Sequence, residues 1–367
     1  MKLGYKRRRL LIKVKKRIKK TFNLLVYLNW LLFSVHKFKR IKKINHLLVV
    51  WTGKTIGDLY LTIGMLNRLT TAYPDLSVFF LTRKENWEHV KNPKIQLVDE
   101  NSLANLNIDA IITFSAIPKK IYKGIKYKVG LDEPNLRHLF SQRIMPSTRR
   151  IFPSELGALR MFKTFKALGF DLGYKLEFYY TREAEEYAEK FYRNLKKPVI
   201  FVHIGSKGFG LQNSSKSWDL NNWIDVVNKL TELYSPAFVF TGVGAEEEAV
   251  NRLISLVNKG GKDSLKSIVN FPMETIASLL KRGDLLISID TGIVHVAAQT
   301  GVPIVDIYRA DNRRAWPWTE KRSMLIHPEV CNDCEKDYCP EGIPLCLNSI
   351  TPAEVLTEAK KWLEQKK

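Results

Sequence analysis

Along residues 46–115 short apolar runs alternate with amphipathic stretches, the pattern of strands feeding helices. "HLLVVW" (46–51) reads as a buried strand, "TGKTIGD" (52–58) as a turn, and 59–74 as a helix stopped by Pro74. "LSVFFLT" (76–82) and "DAIITFS" (109–115) read as further strands, and 116–160 as basic and irregular. A charged helix over 182–196 could bridge two domains. A second series then begins: strand 198–206, helix 219–234, strand 237–242, helix 245–258, strand 267–271 and helix 273–283. It continues as strand 285–289, a D-T-G turn, a small-residue helix over 293–301 and the strand "IVDIY" (304–308). Near the end Thr351, Pro352 and Glu354 have the spacing of N-cap, N1 and N3 in a capping box. Short βα units predict parallel sheets covered on both faces. The fold class expected is α/β, with two Rossmann-like domains in tandem and ligands at strand carboxyl ends, in a cleft between them. The expected divisions are an arm over 1–45, domains over 46–180 and 181–348, and a terminal helix over 349–367.

Composition changes this picture at one place. Of the formal charge of +22 on 367 residues, sixteen positive charges lie in residues 1–45, which hold no acid, so the remainder is near +6. The arm carries an apolar core, 22–35, between two basic clusters. That core is shorter than the roughly 20 apolar residues a spanning helix needs, and no small-residue cleavage site follows it. Tyr27 and Trp30 beside Lys and Arg predict an amphipathic element lying on an anionic membrane surface. A solvated basic tail and a nucleic-acid contact are the alternatives, and the body carries no nucleic-acid motif, so no nucleic-acid partner is expected. Cys331, Cys334, Cys339 and Cys346 are spaced C-x2-C-x4-C-x6-C, which leaves reduced thiols and a structural zinc both open.

The candidate chemistry gathers at turns after strands. Asp290, Thr291 and Gly292 end a strand and open a helix, where free amides and the helix dipole favour an anion. His295 follows on the first helical turn; plain capping by Asp290 with a satisfied histidine fits the spacing equally. "HIGSKGFG" (203–210) offers Gly205, Ser206 and Gly208 as an anion nest or a flexible loop. Lys216 precedes a helix that Asp219 would cap, and is either a phosphate ligand or a surface lysine. "GKT" at 53–55 suggests a nucleotide triphosphate loop, but the glycine this needs five residues earlier is Leu48. Asp58 would open the first helix, as a general base or as a simple N-cap.

In this order the pieces resemble glycosyltransferase family 9, the heptosyltransferases of the lipopolysaccharide inner core. The likeness rests on "LLVVWTGKTIGDLYLTIGMLNRL", "HIGS", "KSW" and "DTGIVHVAAQTGVP", and spans roughly 46–365. It implies a GT-B fold, an ADP-heptose donor, inverting transfer and no required cofactor. It implies Asp58 as the base, with Lys216, Thr291 and Gly292 holding the diphosphate and Asp290 and His295 touching sugar or diphosphate. Glu246 would meet the ribose and Met273 the adenine. Gly205 and Ser206 would line the donor site, and Lys54, Arg137 and Arg143 the acceptor side. The implied partners are ADP-heptose, a lipopolysaccharide core or Kdo-lipid A acceptor, and the inner face of the inner membrane. Trp51, Lys54 and the sequence "TIG" at 62–64 depart from the family pattern, all on the acceptor side. Transfer from another nucleotide-sugar, or a GT-B-like epimerase or hydrolase, is the alternative.

Overall fold

The computed structural model describes residues 43–115, 121, 123–130, 156–205, 216–244, 246–257, 264–309, 315–330, 339 and 344–365. The arm to residue 42, Arg137, Arg143, Ser206, Gly208, Cys331 and Cys334 lie outside them. The chain divides into two compact units. One holds Met1–Gly53, Arg68–Trp87 and Pro93–Lys175; the other holds Lys54–Asn67, Glu88–Asn92 and Leu176–Lys367.

The sheet of the first unit contains β1 (His46–Val50), β2 (Ser77–Leu81), β3 (Ile95–Val98), β4 (Ala110–Thr113) and β5 (Tyr127–Gly130). They run parallel in the order β3-β2-β1-β4-β5. Four of the five β1 positions are buried, which suits a strand covered on both faces. Leu48, Val50, Phe79, Leu81 and Ile111 form one apolar layer with Val98, Ile121 and Ile125. The stretch expected to be irregular contributes β5 and the helix α2 (Gly157–Ala167), so that expectation is corrected. Helix α1 (Ile56–Ala72) starts before residue 59, and its first half belongs to the second unit.

The second unit's sheet contains β6 (Val199–His203), β7 (Ala237–Gly242), β8 (Leu265–Val269), β9 (Leu285–Ile289), β10 (Ile304–Ile307) and β11 (Arg322–Leu325). All are parallel, ordered β11-β10-β9-β6-β7-β8. From its first strand, each sheet runs through the next two to one edge, then returns to build the other side. Helices α3 (Arg182–Tyr192), α4 (Leu220–Tyr234), α5 (Glu246–Leu256), α6 (Met273–Leu280), α7 (Gly292–Thr300), α8 (Leu345–Asn348) and α9 (Pro352–Glu364) complete the unit.

The side-chain period of two sorts this sheet's faces. Ile200, Val202, Phe238, Phe240, Ile287, Ile289, Val305 and Ile307 pack with α4 and with Val355, Ala359 and Leu363 of α9. The helix starts follow the sequence: Asp219 accepts from the Asn221 N–H at 2.8 Å, and Thr351 with Glu354 forms the expected capping box. The opposite face carries an unexpected polar row. Register pairs Thr241 with His203, His203 with Ser288, and Ser288 with Asp306, all four buried.

Candidate active site

In a parallel sheet of this order the chain reverses direction across β6 and β9, and ligands bind outside the carboxyl ends at such a point. Three segments of the second unit meet there. The turn after β9 carries Asp290, Thr291 and Gly292, the segment before α4 carries Lys216, and Gly205 follows β6.

Lys216 is held by two contacts to one residue. Its Nζ lies 2.9 Å from Asp290 Oδ2 and donates to the Asp290 carbonyl at 3.0 Å. Two residues on, Trp218 is 1% exposed, meets Trp223 edge-on at 5.0 Å and donates Nε1–H to the Ile350 carbonyl at 3.0 Å. The K-x-W spacing thus puts a charged residue two positions from a tryptophan anchored in the core. Arg309, just past β10, brings its Nε to 3.8 Å from the same Asp290 oxygen.

The residue at the N-cap of α7 is Thr291, so the reading of Asp290 as the cap is corrected: Asp290 is turned to Lys216 instead. Thr291 makes no side-chain cap hydrogen bond. Its hydroxyl lies 3.5 Å from Ser288 Oγ, and the first amides of α7 have no side-chain acceptor from it. A Cβ on Gly292 would come within 2.9 Å of Ile56 Cγ2 and 3.4 Å of the Gly57 nitrogen, so the start of α1 lies directly against the start of α7.

His295 borders that contact: a Cβ on Gly57 would stand 2.5 Å from its Cδ2. The ring is 7% exposed, and its Nδ1 has no hydrogen-bond partner among the described residues. Burial pulls its pKa below the ordinary histidine value and Lys216 adds to this, while Asp58 and Asp290 oppose it; the ring is neutral. Asp58 itself is exposed, in the first turn of α1, and accepts from Thr55 Oγ at 2.6 Å. Thr55 precedes the helix, so the reading of Asp58 as a simple N-cap is corrected as well. Lys54 beside it is exposed.

On the other flank, Glu246 at the start of α5 is buried and accepts from the Val243 N–H at 2.9 Å. Its carboxyl lies over Gly205, where a Cβ would come within 2.4 Å of Glu246 Cδ. Burial raises its pKa, against the pull of the Val243 amide. His203 Nδ1 shares a 2.8 Å hydrogen bond with Thr241 Oγ, and burial lowers its pKa to about 4. Met273 is half-buried at the first position of α6. Cys346 is buried and Cys339 half-buried. Among the described residues no cluster has the makings of a metal site, and no helix is long and apolar enough to cross a membrane.

Asp58, Lys216, Asp290, Thr291, Gly292 and His295 are thus brought to one place, with Gly205 and Glu246 beside them. The pattern of glycosyltransferase family 9 (heptosyltransferase) matches residues 123–343. The chain belongs to this family. A lipooligosaccharide heptosyltransferase 2 of Campylobacter jejuni subsp. jejuni serotype O:2 is 24% identical over 59% of this chain and 73% of its own. The lipopolysaccharide core heptosyltransferase OpsX of Haemophilus influenzae is 23% identical over 66% of this chain and 67% of its own. Among solved structures, a family 9 glycosyltransferase of Veillonella parvula superposes with a TM-score of 0.68 at 20% identity, covering 88% and 98% of the two chains. An E. coli ADP-heptose lipopolysaccharide heptosyltransferase II superposes at 0.64 and 17% identity, covering 88% and 99%. The two Rossmann-like sheets are those of the GT-B fold, and the protein is a glycosyltransferase.

Three site features were not anticipated. Arg309, just past "IVDIY", and Asp306 within it carried no expectation of a role. Thr55 was read as part of a turn, yet it orients the Asp58 carboxylate.

Proposed function

We propose that the protein transfers heptose from ADP-heptose to a lipopolysaccharide inner-core acceptor, with inversion at the sugar's anomeric carbon. The observation that carries this reading is Lys216, paired with Asp290 beside the N-terminus of a helix whose N-cap Thr291 makes no side-chain cap hydrogen bond. That arrangement suits a diphosphate that gains negative charge as it leaves. The exposed Asp58 takes the proton of the acceptor hydroxyl. The acceptor oxygen then bonds to the anomeric carbon, the bond from that carbon to the β-phosphate oxygen breaks, and its electron pair departs on ADP. Lys216 with the amides of Thr291 and Gly292 stabilises that charge. Neutral His295 offers a hydrogen bond without adding charge. Glu246 accepts from the ribose, and Met273 lies against the adenine. The positive charge that offsets the leaving group comes from side chains and amides, so this reading requires no metal.

The C. jejuni and H. influenzae relatives are named for lipooligosaccharide and lipopolysaccharide core transfer, and the E. coli neighbour for ADP-heptose; this supports the choice of donor and acceptor class. The division into an acceptor-binding half, 46–180, and a donor-binding half, 181–348, with the arm over 1–45 on the anionic inner face of the inner membrane, belongs to the same reading. Removing 1–45 is then expected to lower activity on full glycolipid while sparing a delipidated acceptor; equal loss on both would contradict the membrane role.

The test of the reaction class is release of ADP from ADP-heptose by purified protein, with and without Kdo-lipid A or a heptosylated core. Release that depends on the acceptor is expected. Equal release without it would make the protein a hydrolase or an epimerase-like enzyme.

A further inference from the structure

Asp290 faces two cations. Lys216 reaches it from the segment that follows β6, on one flank of β9; Arg309 reaches it from the end of β10, on the other flank. The β9–β10 register ends with Ile307 beside Ile289, and the Asp290 N–H donates to the Ile307 carbonyl at 3.3 Å. Carried two residues further, that register sets Arg309 alongside Thr291, the N-cap of α7. Its side chain is only 16% exposed, so the guanidinium is held near the turn and not spread over the surface.

From this placement we infer that Arg309 is a second cationic ligand of the donor's diphosphate, acting with Lys216 from the other side of the α7 N-terminus. The inference rests on the reading of that turn as the diphosphate site. Chemically the two cations differ in what they can supply. An ammonium is a compact point charge, whereas a guanidinium presents a planar fork of N–H donors matched to two oxygens of a phosphate. Asp290 serves as the common counter-ion that keeps both cations at the turn. Negative charge grows on the diphosphate as the glycosidic bond breaks, so a guanidinium bound there stabilises the departing group more than the intact donor.

The test compares ADP with adenosine by titration calorimetry on the full-length protein, as wild type, Arg309→Gln, Arg309→Lys and Lys216→Ala, with unfolding midpoints measured in parallel. Arg309→Gln is expected to weaken ADP by about tenfold to a hundredfold, the range for one charge-assisted hydrogen bond. Adenosine, which has no phosphate, should change by less than about twofold, and Arg309→Lys should recover part of the ADP loss without restoring it. Should Arg309→Gln fail to fold, Arg309→Lys carries the test alone, with selective weakening of ADP expected. ADP affinity unchanged in the Arg309 variants, or ADP and adenosine weakened together, would overturn the inference. If the Arg309 variants retain ADP affinity while Lys216→Ala loses it, the inference alone fails; if Lys216→Ala also retains it, the diphosphate site itself is misplaced.

Discussion

At their amino edges the two sheets are built alike. In the first, Asp109 Oδ2 accepts from the amides of Asn45 and His46, both at 2.9 Å, and the Asp109 N–H returns a bond to the His46 carbonyl. In the second, Asp284 Oδ2 accepts from the Val199 amide at 2.8 Å and its N–H returns to the Val199 carbonyl. Each acid precedes the fourth strand of its sheet and fastens the first. The carboxyl edges differ. At the ends of β1 and β4 in the first unit, Trp51 is buried and the Thr52 N–H donates to Ser115 Oγ at 2.8 Å; the charged Lys54 and Asp58 further along fall in the second unit. After β6, β7, β9 and β10 stand Lys216, Glu246, Asp290, His295 and Arg309. One strand order thus frames two very different mouths. Reactivity follows the ionisable side chains that the turns deliver, not the sheet that carries them.

The most forceful way to break this comparison is to remove charge from the second edge. Lys216→Ala is expected to lower kcat/KM by about 10²–10³-fold, the cost of one preorganised group on a developing charge. Steady-state kinetics against ADP-heptose checks it, with the unfolding midpoint as control. Lys54→Ala, exposed outside the diphosphate contacts, should leave donor binding unchanged.

Acid should also weaken the second unit through its buried histidine. His203 is held neutral with a folded pKa of about 4, against an ordinary value of 6.5. The unfolded chain therefore binds the proton first, and stability falls as pH drops from 6.5 towards 4. The full loss is about 3 kcal/mol, at roughly 1.4 kcal/mol per pKa unit. Chemical denaturation at several pH values should show this slope in the wild type and a shallower one in His203→Gln. His295, lowered in the same sense, leaves part of the slope in place.

A smaller effect separates the two edges by sterics. An alanine at Gly57 would drive its Cβ into the His295 ring, and one at Gly53 into the Trp51 ring at 2.6 Å. Each is expected to cost about 1–3 kcal/mol by overpacking. Only Gly57→Ala should also weaken ADP binding, because only it displaces a group of the second edge. Equal effects on ADP would erase the distinction.

How much of this was legible in the sequence follows from the physics of each element. Strands buried on both faces wrote continuous apolar runs, so β1, β6, β7 and β9 were readable, and the capping box at Thr351 announced α9. The strands not evident were the short edge ones. β3, β5 and β11 carry Gln96, Lys128 and Arg322, and no apolar run survives such interruptions. At the site, D-T-G and K-x-W were visible because turn chemistry and an anchoring tryptophan are local. Which residue would cap each helix was not, since Thr55, Asp58, Asp290 and Thr291 all have capping side chains. That choice depends on Lys216 drawing Asp290 away, a contact across 74 residues. Arg309 and Asp306 were hidden for a related reason, because strand register alone sets Asp306 beside Ser288 and Arg309 near the turn.

The account stands most directly on Asp58. The decisive measurement is acceptor-dependent ADP release by wild type and Asp58→Asn, with ADP-heptose affinity measured on both. The account predicts a fall in kcat of about 10²–10⁴-fold, the range for general base catalysis, with donor affinity nearly unchanged. An Asp58→Asn enzyme that turns over at close to the wild-type rate would contradict it, and would place the base elsewhere in the protein.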